Sequence, residues 1–148
     1  MLHVFLILTL ITGALPRWSE DEVRVVDTVI DAYVATAQTT LAVAPRSIRP
    51  LLRGDARLLS LRNARTPLYL AYARLRSGRT FGWLRDRGDL WITSDRPELA
   101  LSAPAIAGGE ALVYGQSCGE GRLFHLRKFG DQWEITWSAV LTTTPDCS

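Results

Sequence analysis

Lysine is almost missing from this chain: Lys128 stands alone against sixteen arginines in 148 residues. A skew that strong fits a GC-rich coding sequence better than a selected binding surface. The arginines are scattered among acidic residues, the net charge is only +2 and no block of like charge forms, so a nucleic-acid partner is not expected. Histidine is scarce too, with only His3 and His125, which leaves little for acid–base catalysis near neutral pH. Cysteine stops at Cys118 and Cys147. No cluster of His, Cys and Asp shows ligand spacing, so neither a metal nor another cofactor is expected. Also missing are a strained G-x-S-x-G turn and a phosphate cradle, because Gly119-Glu120-Gly121 opens a strand rather than a helix.

What is present describes one globular domain. The hydrophobic fraction of 47% and charged fraction of 22% are ordinary for a folded soluble chain, and the length asks for a single core. The apolar run from Val4 to Leu15, closed by Pro16 and Arg17, matches the ~7 to 15 residues of a signal h-region rather than the ~20 of a spanning helix. Residues 1–14 are therefore read as a signal peptide cleaved after Ala14, and residues 15–148 as the mature domain. No Lys or Arg precedes the run; the alternative is a buried first strand or helix. No Cys follows it to carry a lipid. The expected location is the periplasm or the cell exterior, with no membrane span left after cleavage.

Ser19-Glu20-Asp21-Glu22 has the spacing of a capping box. Val23, Val26, Ile30, Tyr33, Val34, Ala37 and Leu41 then recur every three or four residues, predicting a helix over 20–42 that stops before Pro45. Residues 46–75 are punctuated by Pro50, Gly54 and Pro67; of 68–73, either a helix capped by Thr66 or a buried strand, the strand is preferred. Beyond Gly78 the pattern becomes that of an antiparallel meander. It has a hairpin over 80–94 closed by Asp86-Arg87-Gly88-Asp89, a weaker strand over 98–102, and final strands over 110–117, 122–129 and 132–141. Trp133, Ile135, Trp137, Ala139 and Leu141 alternate with Glu134, Thr136 and Ser138, which places both tryptophans on one inner face. The fold class is α+β, an N-terminal helix packed on an antiparallel meander.

The meander folds the chain back so that the tail after the last strand lies near the turn at Cys118, and the two cysteines are expected to pair. Closing a loop of about 30 residues would contribute roughly 3.5 kcal/mol.

Candidates for chemistry are few. His125 falls mid-strand and reads as a solvated side chain. Glu110, Glu120 and Asp131 sit at strand ends. Arg53-Gly54-Asp55 and Arg87-Gly88-Asp89 repeat the tripeptide displayed by integrin ligands, though the same residues are good turn formers. The tryptophans, Trp133 and Trp137 among them, read as core rather than as a carbohydrate platform.

Residues 112–121, with Cys118-Gly119, and residues 124–135, with Leu126-Arg127-Lys128 and Gly130-Asp131-Gln132-Trp133, resemble the end of a group of small exported bacterial proteins of unknown function. Those end in a Cys-Gly turn followed by a Leu-x-Lys, Gly-x-Trp strand pair. A helix followed by a curved sheet also resembles the cone-shaped domains of the nuclear-transport-factor type, which implies a concave face able to hold a small ligand. The function expected is a non-catalytic binding or accessory module of the bacterial envelope, its partner an envelope component or another exported protein. The alternative is a small enzyme or ligand carrier with a pocket between helix and sheet, touched by Tyr33, His125 and Trp137.

Overall fold

Ser19 opens the first element as its spacing predicts. In the computed structural model, which describes residues 17–143, the Ser19 hydroxyl accepts from the Glu22 N–H and the Glu22 carboxylate accepts from the Ser19 N–H, completing the capping box. The expected signal peptide and Cys147 lie outside the described residues.

Helix α1 spans Glu20–Val34, shorter than the predicted 20–42. At its end the Thr36 hydroxyl donates to the Tyr33 carbonyl, satisfying one of the orphaned acceptors of the last turn. Thr36, Thr39 and Thr40 are poor helix formers, and the next apolar residues are drawn into the sheet as strand β1, Leu41–Val43, all three buried. Helix α2, Ala56–Asn63, is capped by Asp55, so the first Arg-Gly-Asp ends in a capping residue. Residues 68–73, expected as a strand, belong to helix α3, Pro67–Ala73. The Thr66 hydroxyl accepts from the Tyr69 N–H and Pro67 stands in the first turn, so local capping outweighs the β preference of the aromatics.

The expected 80–94 hairpin is absent. Gly82–Asp86 forms a 3-10 turn, and strand β2, Leu90–Ile92, pairs in parallel with β1. Arg87 and Asp89 are not displayed to a partner: Arg87 bonds Asp89 at 2.7 Å and Asp31 of α1 at 2.7 Å. Strands β3 (Leu99–Leu101), β4 (Ala105–Ala107), β5 (Glu110–Ser117), β6 (Glu120–Phe129) and β7 (Gln132–Thr143) complete the sheet. Its order is β2-β1-β3-β5-β6-β7, with β4 also on β5. Among the named strands only the β1 pairings are parallel, so the α+β class holds while the consecutive antiparallel meander is confined to β4–β7. The Cys118-Gly119 turn joins β5 to β6, with Ser117 opposite Glu120 and Gly119 at φ 90, a conformation that favours glycine.

Where one core was expected, the sheet buries two. Val25, Val26, Val29 and Ile30 of α1 pack with Leu99, Leu101, Ala111, Val113, Phe124, Leu126 and Trp133. Leu58 of α2 and Leu68 and Tyr72 of α3 pack with Ala105, Leu112, Tyr114 and Leu123. Adjacent strand residues point to opposite faces, so the split of Leu112 and Tyr114 from Ala111 and Val113 puts α1 on one face and α2–α3 on the other.

The pairing of β6 with β7 slips by one residue between Leu126, opposite Ile135, and His125, opposite Trp137. Thr136 is the extra residue of this β-bulge. The slip corrects the expected shared face of the two tryptophans. Trp133 packs under α1 and donates from its indole to Asp21 at 3.0 Å, whereas Trp137 packs on the α2–α3 side.

Tyr33 meets Phe124 edge to face, with ring centroids 5.5 Å apart. Its buried hydroxyl has no partner, and it lies over Gly115, where an added Cβ would sit 2.6 Å from the hydroxyl oxygen. Tyr33→Phe is therefore expected to leave stability to urea unchanged or raised. Gly115→Ala should cost about 1–3 kcal/mol, partly recovered when the two are combined. A loss above about 1 kcal/mol for Tyr33→Phe alone would contradict this packing.

Candidate functional site

Three strands and one helix bring chemistry to a single open cleft. Glu110 begins β5, His125 and Arg127 lie on β6, and Thr136 and Trp137 form the bulge of β7. Ala56, Arg57, Ser60 and Leu61 line the α2 side, and the cleft encloses about 560 Å3, within the range of small-ligand sites.

His125 is the centre of the arrangement. It is 6% exposed, which corrects the expectation of a solvated strand side chain; α2 and the neighbouring strands cover that face. Its ring lies flat against Trp137, with centroids 5.2 Å apart and planes 1° from parallel. The Arg57 guanidinium sits 5.1 Å from the centre of the same indole, a cation–π distance. Nε2 of His125 meets the Glu110 carboxylate at 3.1 Å and Nδ1 meets the Thr136 hydroxyl. Glu110 is also reached by Arg127 at 3.4 Å.

Burial pushes His125 below its ordinary pKa of 6.5, and the Glu110 charge pulls it part of the way back. The ring is thus neutral at pH 7, and its partners choose the tautomer. Nε2 carries the proton and donates it to the carboxylate. Nδ1 accepts from the Thr136 hydroxyl. Protonation would make Nδ1 a donor and redirect the Thr136 hydrogen to the His125 carbonyl, 3.2 Å away. Thr136 itself is exposed and lines the cleft, with its hydroxyl bonded to His125.

The structure joins His125 and Trp137, two of the pocket residues singled out in the sequence, and parts them from Tyr33. That residue packs on the α1 core, its ring against Phe124 and its hydroxyl over Gly115. Arg57, Ser60 and Thr136 carried no sequence signal of a site, and Glu110 only that of a strand end. Glu120 and Asp131 lie elsewhere: Glu120 pairs with Arg122 at 2.8 Å, and the Asp131 carbonyl accepts from Arg24. A second groove, of about 580 Å3, runs past Trp18, Arg79 and Trp83, but Arg79 already lies 3.6 Å over the Trp18 ring and Trp18 is stacked on Phe81. Among the described residues no three His, Cys, Asp or Glu side chains are grouped to hold a metal ion.

No protein-family model, curated protein or solved structure matches the chain.

The depressed pKa of His125 has a sign that can be tested. The folded state binds a proton less readily than the unfolded chain, so stability rises with pH between the folded pKa and about 6.5, and is lost as pH falls through that window. NMR titration is expected to place the His125 midpoint below 6.5. His125→Gln should flatten the stability-versus-pH slope there; an unchanged slope would contradict the assignment.

Proposed function

We propose that this protein is an exported domain that binds a small organic anion in the cleft between α2 and the sheet. The observation that carries the reading is the stacked set of His125, Trp137 and Arg57 beside Arg127. Two guanidinium groups face one carboxylate across the lining, and that carboxylate is already engaged by His125 and Arg127. The net charge of the cleft is thus positive, and the indole supplies a flat apolar wall. A ligand with one anionic group and a planar or apolar body meets both features. This favours the ligand-carrier alternative over a purely accessory role.

The export setting is part of the proposal, with residues 1–14 as the cleaved signal and the periplasm or cell exterior as the destination. A bridge between Cys118 and Cys147 fits the register. Thr143 lies opposite Glu120, two residues from Cys118, and the four residues from there to Cys147 reach up to ~13 Å. A second reading, an accessory module docking on an envelope protein, is favoured by Trp91. That residue is 63% exposed on β2, at the edge of the sheet.

Protein recovered from an envelope fraction tests both parts. Its intact mass should lack the first fourteen residues, with thiols alkylated only after reduction. Titration with a panel of aromatic carboxylates and phosphate monoesters should change the tryptophan fluorescence, and Trp137→Phe should remove most of the change. Arg127→Ala should weaken binding by about tenfold or more, the value of a lost charge-assisted hydrogen bond. A panel without effect, together with an envelope partner released by Trp91→Ala, would replace this reading with the second.

A further inference from the structure

The cleft holds more than binding surface needs. An exposed hydroxyl, a buried imidazole and a carboxylate stand in a continuous hydrogen-bonded chain, Thr136 to Nδ1 of His125 and Nε2 of His125 to Glu110. The order is that of a nucleophile, its base, and the acid that orients the base. We infer that Thr136 is a nucleophile and that the cleft hydrolyses small esters carrying an anionic group. This inference rests on the binding reading of the same cleft.

Each member is placed by a different constraint. His125 is held by burial, by the flat indole of Trp137 and by Glu110, so its ring has one orientation. Thr136 is the extra residue of a bulge, a feature that re-aims side chains beside active sites. It is exposed, Glu110 is partly so, and the imidazole between them is covered. A histidine satisfied for structure alone would be served equally by two buried partners; here one partner is a hydroxyl open to the cleft. The charged groups around the imidazole are Arg57 from α2, Glu110 from β5 and Arg127 from β6. Glu134 of β7 stands opposite Arg127 in the register.

The reaction balances without a co-reactant other than water. The Thr136 oxygen bonds to the acyl carbon while its proton passes to Nδ1 of the neutral His125, and Glu110 holds the Nε2 proton of the resulting imidazolium. The negative charge on the former carbonyl oxygen forms in a cleft whose unneutralised cation is a guanidinium. When the ester C–O bond breaks, the leaving alkoxide takes the proton from Nδ1. Water then attacks the acyl-Thr136, gives a proton to Nδ1, and the bond to Thr136 breaks, with the proton returning to its oxygen. The net change is ester plus water to acid plus alcohol.

The test is labelling of the full chain with a fluorophosphonate probe, which bonds to an activated hydroxyl and expels fluoride. Peptide mapping is expected to find the adduct on Thr136, retained in Thr136→Ser and lost in Thr136→Ala; near-UV circular dichroism checks that each variant is folded, since Thr136→Ala also removes a partner of the buried His125. In Glu110→Gln labelling should fall at least tenfold, with the pH midpoint of labelling displaced, a change that a merely structural role would not produce. Hydrolysis of p-acetoxybenzoate, an ester that carries a carboxylate, should show a burst abolished by Thr136→Ala. Folded protein that stays unlabelled, with ester hydrolysis indifferent to Thr136→Ala, overturns the inference. If small anions still quench Trp137 in that protein, the binding reading stands without it; if they do not, both fall.

Discussion

A one-residue slip between β6 and β7 governs this molecule. Regular pairing would keep Ile135 and Trp137 on one face of the sheet, because strand side chains alternate. With Thr136 inserted opposite His125, Trp133 and Ile135 face α1 while Trp137 turns to the side of α2 and stacks on His125. One bulge thereby divides the apolar residues of β7 between two cores, and at the point of division sets an imidazole, an indole and a hydroxyl against one another.

The two cores explain why the cleft exists. Under α1, four buried aliphatic residues meet a continuous apolar surface, and Trp133 closes it with a hydrogen bond to Asp21. On the other face α2 and α3 are short, eight and seven residues, and cover the sheet less completely. Leu58 and Leu68 anchor them over Leu112, Tyr114 and Leu123. Beyond Leu58 the polar side of α2 faces the ends of β5, β6 and β7 across open space. That space carries Arg57 from the exposed side of α2 and Arg127 from β6, and it holds a buried histidine on a face of the sheet that is otherwise apolar. Polar groups in such a place need partners, and Glu110 and Thr136 supply them.

Much of the backbone plan was legible in the residues. The capping box located the start of α1, and turn glycines separated the last three strands, since both signals are local. The end of α1 was not legible, because the apolar spacing that predicts a helix to residue 42 continues into β1, whose burial depends on partners about 50 residues away. Residues 68–73 misled through their aromatics, although Thr66 and Pro67 held the correct signal. The hairpin expected around Arg87 failed for a similar reason: β2 gains a parallel partner in β1, and Arg87 is claimed by Asp31 and Asp89. For the site, the sequence pointed to His125 and Trp137 separately. Their contact depends on the bulge, which has no fixed signature, and on α2 crossing over them. Tyr33 was drawn in by its place on the apolar stripe of α1, and it serves the core.

The cleft requires Trp137 on the α2 face of the sheet. Proton NMR of the assigned protein reads this directly through cross-relaxation between side chains. The expected spectrum connects the Trp137 ring with His125 and Arg57, and the Trp133 ring with the α1 core around Val26 and Ile30. A spectrum in which Trp133 and Trp137 both contact α1 would show a β7 without the slip at Thr136, and would remove the cleft together with every function assigned to it.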